Sequence, residues 1–420
     1  MDVRLKGNLS GAVVVPPSKS QAHRMLISAA LGSKECNVSC SALNDDLVAT
    51  MNCLNSLGAH IVYEGGCFKV YPIELKKNGL LDCGESGSTL RFLLSVAAVL
   101  GADATFVGSG KLPQRPNGAL LDVLSQHGVV FHRHEESREL PLTCEGMLCG
   151  GSYQLSGSLS SQYLTGLLFA LPLASNNSEI ELTGNITSAS YIEMTLDTLR
   201  IAGVEIKRRG RNFYINGNQS YNLPARVTVE GDWSSAAFWL VAGVVGNHPV
   251  KVCGIAADSV QGDRCVIDHL RNMGAFIEEH EDEFIAFPSQ LFGTELDCMD
   301  TPDLLPILSV AASVADGETL FTNVGRLRYK ESDRLAAMQT TLATFGIDSR
   351  IGEDTFSVYG GKASVKGEVD SFGDHRIAMS AAILATLVGE EVVINGAECV
   401  AKSYPRFFED YAALGGLVLN

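Results

Sequence analysis

Basic residues are scarce. The 420-residue chain carries 32 Lys and Arg against 48 Asp and Glu, a formal charge of -16. That deficit excludes the broad basic face that nucleic acid or an anionic membrane surface requires, and by itself it counts against small anionic substrates as well. Long apolar runs are missing too. Stretches such as residues 377–388 stop near a dozen residues and include polar ones, short of the ~20 needed to cross a bilayer. The opening MDVRLKGNLSGAVVV has no basic segment followed by a long apolar run and a small-residue cleavage site, so no signal peptide is expected. The 11 cysteines are odd in number and scattered, which excludes a tight disulfide framework and suits a reducing compartment. A cytoplasmic location is expected. Gly108-Ser109-Gly110-Lys111 is followed by Leu112 and lacks the spacing of a nucleotide-binding P-loop.

What is present is a folding sequence with a repeat. Hydrophobic residues make up 46% and charged ones 19%, as in globular proteins, and the length predicts two domains. Glycines number 42, above the usual ~7% share. Six times a helix-like apolar run meets a glycine and then a short strand-like run. The glycines are Gly58, Gly128, Gly203, Gly274, Gly346 and Gly415, spaced 70, 75, 71, 72 and 69 residues apart. A glycine just past a helix end takes the left-handed conformation that closes the helix, and the β-branched residues after it start a strand. In the same phase, a strand ends near a glycine, a polar loop follows, and a helix begins. The regular spacing predicts six α/β units, three per domain, with equivalent loops on one side of each domain.

Those loops hold cations where helix physics disfavours them. Lys19, Ser20 and Arg24 occupy the first turns of a helix that Ser18 and Gln21 are placed to cap. Arg115 stands before Pro116 at another expected helix start, and Arg376 follows the capping Asp374. A cation there opposes the helix dipole at a cost of roughly 0.3–1 kcal/mol unless an anion is also present. Lys330 and Arg334 read as an i,i+4 pair of like charges, and Lys402 is one more cation in a repeat loop. Together, in a protein this acidic, they predict a site for at least two anionic groups, because helix N-termini with spare N–H groups accept anions. Hydroxyl-rich helix starts support this: Ser86, Gly87, Ser88 and Thr89 in one, Ser160, Ser161 and Gln162 in another, and Ser188 with Tyr191 in a third.

Seven motifs now stand in one order: Pro17-Ser18-Lys19-Ser20, Gln114-Arg115-Pro116, Ser160-Ser161-Gln162, Glu230-Gly231-Asp232, Lys330-Glu331-Ser332-Asp333-Arg334, Gly373-Asp374-His375-Arg376 and Ala401-Lys402. In residue types, order and spacing, over essentially the whole chain, they resemble the 5-enolpyruvylshikimate-3-phosphate synthase family. The resemblance implies a two-domain inside-out α/β barrel of the enolpyruvyl transferase type, built from six βαβαββ repeats. Residues 18–229 would form one domain, on the shikimate 3-phosphate side. Residues 1–17 plus 230–420 would form the other, on the phosphoenolpyruvate carboxylate side, with the active site in the cleft between them. The implied reaction moves the enolpyruvyl group of phosphoenolpyruvate to the 5-hydroxyl of shikimate 3-phosphate and releases phosphate. It belongs to chorismate and aromatic amino acid biosynthesis and uses no metal or organic cofactor.

By the same resemblance, Ser160, Ser161 and Ser188 hold the phosphoryl group of shikimate 3-phosphate. Ser20, Arg24 and Tyr191 meet its carboxylate and ring, and Asp303 and Lys330 its hydroxyls, with Lys19 and Gln162 also in contact. Phosphoenolpyruvate phosphate meets Lys19, Gly87, Arg115, Gln162 and Lys402, while Arg334 and Arg376 take its carboxylate. Asp303 and Glu331 are the resident acid–base carboxylates, with Lys19 and Lys330 as proton carriers. Two positions depart from the family pattern: Arg326 and Glu85 stand where many members have Asn. Closure of the two domains on shikimate 3-phosphate is expected, because cationic loops lie on both. A monomer acting on small molecules is expected, with neither nucleic acid nor membrane as partner.

Two other functions fit parts of the pattern. The sister enzyme acting on UDP-N-acetylglucosamine shares the fold but typically carries a reactive Cys in the loop that here runs through residues 108–115 without one. A non-catalytic anion-binding repeat protein would not require Glu331 and Asp303 beside the cations. His132 and His134 sit on one face of an expected strand, but HRHEESRE reads better as an exposed charged strand than as a metal site.

Overall fold

The computed structural model describes residues 1–135, 138–158, 160–365 and 367–419. The chain divides into two compact units, Lys19–Val229 and Met1–Ser18 with Glu230–Asn420. Among the described residues there are twelve α-helices. The first unit holds α1 (Lys19–Ala30), α2 (Asp45–Leu57), α3 (Gly87–Leu100), α4 (Gly118–Ser125), α5 (Ser161–Ala170) and α6 (Ala189–Ile201). The second holds α7 (Trp233–Val245), α8 (Val266–Asn272), α9 (Leu305–Ala312), α10 (Arg334–Thr344), α11 (His375–Ala385) and α12 (Phe407–Ala413).

Six four-stranded sheets accompany them, and all six share one strand order. Leu80–Asp82 runs parallel to Ala104–Val107, which is antiparallel to Leu142–Gly146, which is antiparallel in turn to Val129–Arg133. Three sheets borrow a strand from a distant part of the chain. Arg226–Thr228 opens the sheet of Cys36–Ser39, Gly11–Val14 opens that of Val250–Cys253, and Val3–Lys6 completes that of Val392–Asn395. The six expected glycines all have positive φ, from 72° at Gly346 to 111° at Gly58; five close their helices as the sequence predicts, while Gly128 stands three residues past the end of α4, in the turn that leads to the next strand.

The layering follows from burial. Strands alternate, as in Ser152–Ser156, where Tyr153 and Leu155 point inward and Ser152 and Gln154 are exposed, which is the pattern of a sheet wet on one face. Helices α3, α7, α9 and α11 are buried almost all round, as a helix apolar on every side must be. Helices therefore fill the inside of each unit and sheets cover it. In the second unit α7, α9 and α11 pack on one another, and Trp239 stacks on Phe407 at 4.8 Å. Fully burying such side chains contributes about 1.5–3 kcal/mol each.

Two local expectations are corrected. Pro116 is not the first helical residue: a 3-10 turn, Leu112–Gln114, ends at Arg115, and α4 starts only at Gly118 after Asn117. The Pro116 carbonyl instead accepts hydrogen bonds from Arg91 Nη2 (3.1 Å) and Tyr163 Oη (2.7 Å). Lys330 and Arg334 are not an i,i+4 pair on one helix, because Lys330 closes the 3-10 turn Gly325–Tyr329 and Asp333 caps α10, which begins at Arg334. The like charges meet instead across Asp303 Oδ1, which both reach.

Candidate active site

In the second unit the repeat loops place their charges in one buried knot. Arg334, 1% exposed, is its centre. Its Nε donates to Asp374 Oδ2 at 2.8 Å, Nη1 to Asp303 Oδ1 at 2.6 Å and Nη2 to Glu331 Oε2 at 2.6 Å. Arg376 Nη2 and Lys330 Nζ also reach Asp303, at 3.2 and 3.3 Å, and Lys402 Nζ lies 3.8 Å from Glu331. Four cations thus face three carboxylates. Asp374 has a second task, capping α11 by accepting from the Arg376 N–H at 3.0 Å, which fixes where Arg376 leaves the helix.

Burial and charge compete at each group. Burial alone pushes the Asp303 carboxyl up, but Arg376, Lys330 and Arg334 together hold it well below the usual carboxylate range, so it stays ionised. Burial pulls the Lys330 ammonium down to about 8 despite the opposing charge of Asp303. Asp303 therefore does not depend on Lys330 alone, whereas Lys330 titrates near neutrality, where proton carriers work best. Arg334 is held above its ordinary value, the attraction of Asp374, Glu331 and Asp303 outweighing burial.

The first unit arranges its predicted residues differently. Lys19 Nζ pairs with Asp46 Oδ2 at 3.0 Å. Arg24 is buried, and its guanidinium donates to Thr195 Oγ1 (2.9 Å), the Ser20 carbonyl (2.7 Å) and the Tyr191 carbonyl (3.1 Å). Burial draws it down to about 10. Ser160 caps α5 by accepting from the Gln162 N–H at 3.3 Å, and Ser161 opens that helix. Ser188 precedes α6 with φ 56°, a left-handed conformation that costs a non-glycine residue about 1–2 kcal/mol. Ser86 caps α3, so Gly87 is its first residue. The Arg115 guanidinium packs directly on Gly87: a Cβ there would lie 2.9 Å from Nη1, closer than real side chains approach.

Two buried charged positions beside the candidate site are not evident from sequence. Arg91 is buried inside α3, donating to Gln162 Oε1 (2.6 Å), Asn117 Oδ1 (3.0 Å) and the Pro116 carbonyl. Gln162 Nε2 in turn donates to Ser88 Oγ at 3.0 Å. Arg91 therefore joins the glycine loop, the Arg115 turn and the start of α5. The available signal was a lone cation in the apolar run TLRFLLSVAAVL. Asp263 is the other. It is buried, receives the Ser234 hydroxyl, and is pushed by burial up to about 6 against the pull of Arg376.

Arg326, one of the two departures, turns its Nη2 onto the carbonyls of Cys298 and Met299. Glu85 lies against Gly110 in the glycine loop. His132 and His134 are exposed and face Glu145 (3.5 Å) and Thr143 (2.8 Å) on the adjoining strand. Glu136 and Ser137 of that stretch lie outside the described residues, as does Leu159 before Ser160. Among the described residues no cluster of His, Cys, Asp and Glu is arranged to hold a metal, and no helix is long and apolar enough to cross a membrane.

The family model described as EPSP synthase (3-phosphoshikimate 1-carboxyvinyltransferase) matches residues 3–411. A Clostridium kluyveri protein named 3-phosphoshikimate 1-carboxyvinyltransferase is 42% identical over 416 residues, covering 97% of this chain and 96% of that protein. A Clostridium perfringens protein of the same name is 41% identical over 415 residues, covering 98% and 97%. Among solved structures, EPSP synthase from Acinetobacter baumannii superposes with a TM-score of 0.83 at 25% identity, covering all of both chains. The enolpyruvyl transferase NikO from Streptomyces tendae superposes at 0.80 with 18% identity, covering 100% of this chain and 98% of that one, a likeness of fold.

Proposed function

The chain belongs to the EPSP synthase family, and from that membership we infer that it is a transferase of the shikimate pathway, serving aromatic amino acid biosynthesis. It moves the enolpyruvyl group of phosphoenolpyruvate onto the 5-hydroxyl of shikimate 3-phosphate and releases phosphate. The observation that carries the reading onto these residues is the convergence of Arg334, Arg376 and Lys330 on the ionised Asp303. A purely anion-binding protein has no use for carboxylates buried among its cations, because they compete with the ligand.

The reaction adds and then eliminates. The 5-hydroxyl oxygen attacks C2 of phosphoenolpyruvate, its proton passes to a base, and C3 takes a proton from an acid. In the second half a C3 proton leaves and the C2–O bond to phosphate breaks. We propose Asp303 and Glu331 as the acid–base carboxylates and Lys330 and Lys19 as proton carriers. Positioned groups of this kind contribute ~10²–10⁴ each. Asp303 is ionised and can accept the hydrogen bond of a substrate hydroxyl, and Lys330 changes charge near pH 8.

Phosphoenolpyruvate phosphate is assigned to Lys19, Gly87, Arg115, Gln162 and Lys402, and its carboxylate to Arg334 and Arg376. Shikimate 3-phosphate is assigned to Lys19, Ser20, Arg24, Ser160, Ser161, Gln162, Ser188, Tyr191, Asp303 and Lys330. The support is chemical: hydroxyls at helix starts and a guanidinium on a bare glycine suit phosphate oxygens. The buried carboxylates around Arg334 and Arg376 mark where an incoming carboxylate can take over a partner. The protein is proposed to act in the cytoplasm as a monomer. Holding two anions together counts as much as proton transfer, since well-oriented reactants gain ~7–11 kcal/mol.

The test is phosphate release from purified protein given shikimate 3-phosphate and phosphoenolpyruvate. Release that needs both is expected. No release, or release only with UDP-N-acetylglucosamine, overturns the reading.

A further inference from the structure

A chain of buried hydroxyls runs behind the glycine loop and ends on a histidine that no part of the reaction uses. His23 Nδ1 lies 2.7 Å from Thr50 Oγ1, Thr50 Oγ1 lies 2.6 Å from Thr89 Oγ1, and Thr89 Oγ1 donates to Ser86 Oγ at 2.8 Å. The four residues come from α1, α2, α3 and the cap of α3, and all are fully buried.

Proton counting gives the chain a direction. Each hydroxyl owns one proton. That of Thr89 goes to Ser86 Oγ or, at the longer 3.5 Å, to the Asp46 carbonyl. Thr89 must then accept from Thr50, and Thr50, its proton spent, must accept from His23 Nδ1–H. The other tautomer would place an N–H on Nε2, which is buried and has no hydrogen-bond partner. An orphaned buried donor is the costlier error, since unpaired buried N–H groups are rarer than under-satisfied acceptors. Burial also draws the ring down to about 3, Lys19 and Arg24 adding to the effect and Asp46 opposing it, so it is neutral throughout the working pH range.

The far end of the chain is the cap. Ser86 Oγ accepts both the Thr89 hydroxyl and the Thr89 N–H (3.2 Å), which fixes its side chain immediately before Gly87, the residue that Arg115 packs against. We propose that His23 is a positioning residue for phosphoenolpyruvate: through Thr50 and Thr89 it sets the Ser86 cap, and with it the Gly87 backbone that the phosphate and Arg115 share. This rests on the assignment of the phosphate to Lys19, Gly87 and Arg115. A neutral relay orients the loop without altering the charge of the site.

Steady-state kinetics of the full-length protein with both substrates test it. His23→Leu and Thr50→Val each remove one link, and KM for phosphoenolpyruvate is expected to rise roughly two- to tenfold, the worth of one hydrogen bond. KM for shikimate 3-phosphate stays near wild type. His23→Asn puts an amide nitrogen where Nδ1 stands and restores most of the loss, and the double variant His23→Leu/Thr50→Val is no worse than the more severe single one. An equal rise in both KM values, or failure of His23→Asn to recover what His23→Leu loses, overturns the proposal. Should His23→Leu not fold, Thr50→Val, which keeps its shape, decides: an unchanged KM for phosphoenolpyruvate overturns it. Absence of wild-type turnover would overturn the functional reading and this inference with it, whereas an active wild type with indifferent variants overturns this inference alone.

Discussion

The two units hold the cations of the candidate site by different means. In Glu230–Asn420, Arg334, Arg376, Lys330 and Lys402 are locked to Asp303, Glu331 and Asp374. Among the candidate site residues of Lys19–Val229, Arg24 and Arg91 donate to carbonyls, hydroxyls and amides, while Lys19 pairs with the Asp46 carboxylate. A cation paired to carboxylates is stable but must exchange partners to bind an anion. A cation held by neutral groups keeps its charge available. The first arrangement suits proton transfer and a carboxylate that displaces a built-in one; the second suits steady binding of phosphate. The dipole cost that made these cations look misplaced is met by built-in carboxylates at Arg376 and at Lys19, whereas Arg24 is held by neutral groups.

The sharpest way to break this contrast is Arg334→Met. It removes the central partner of three buried carboxylates, so turnover should vanish and stability should fall by about 3–5 kcal/mol, read by phosphate release and urea unfolding. Unchanged unfolding would mean the knot is not held by Arg334. Next comes Arg115→Ala in the neutral unit. Arg115 is half-buried and its Nε lacks a partner, so turnover should drop on the order of 10²–10³ with the melting temperature and shikimate 3-phosphate affinity nearly intact. Loss of that affinity would refute the division of the two anion sites.

Lys330→Arg probes the charged unit through pH. The ammonium is drawn down to about 8, so a neutral amine able to take a proton accumulates as pH rises through that value, and kcat should rise with it. The arginine variant should lose that limb and roughly tenfold or more in rate. An inflection near 8 that survives the substitution assigns it elsewhere. Linkage gives the same amine a second signature. Its folded pKa lies below the unfolded 10.5, so the unfolded chain binds more protons between about pH 8 and 10.5, and the Lys330 contribution to stability rises with pH across that window. The smallest effect is expected from Gly87→Ala. The added Cβ first meets the flexible end of Arg115, so KM for phosphoenolpyruvate should rise roughly three- to tenfold, at a cost of about 1 kcal/mol. A wild-type KM would show that Arg115 does not need its contact with Gly87.

Much of this was legible because it is written locally. The glycines mark helix ends because few other residues tolerate positive φ, and six in phase reveal six units. The family motifs bring Lys19, Arg115, Lys330, Arg334 and Arg376 forward because they cluster in loops. What stayed hidden is non-local. Nothing in VRLK or GAVV says which distant strand each will pair with. Pro116 suits a first helical turn on its own, and only Arg91 and Tyr163, 25 and 47 residues away, explain why its carbonyl is held outside the helix. Arg91, Asp263 and His23 are hidden because each lies within or beside an element that reads as structure, and their side-chain partners stand 26 to 71 residues away on other elements.

The borrowed strands also order events in time. Lys19–Val229 owns every strand of its three sheets, so once the ribosome has released Arg226–Thr228 that unit has all it needs to fold. The other unit begins with Val3–Lys6 and Gly11–Val14 but cannot complete their sheets until Val250–Cys253 and, last of all, Val392–Asn395 and Leu417–Leu419 have been made. At about 5–20 residues per second, its amino-terminal strands wait on the order of tens of seconds with unpaired edges. Residues 1–18, with four valines, thus spend synthesis as an unpaired tether and a natural client for a chaperone.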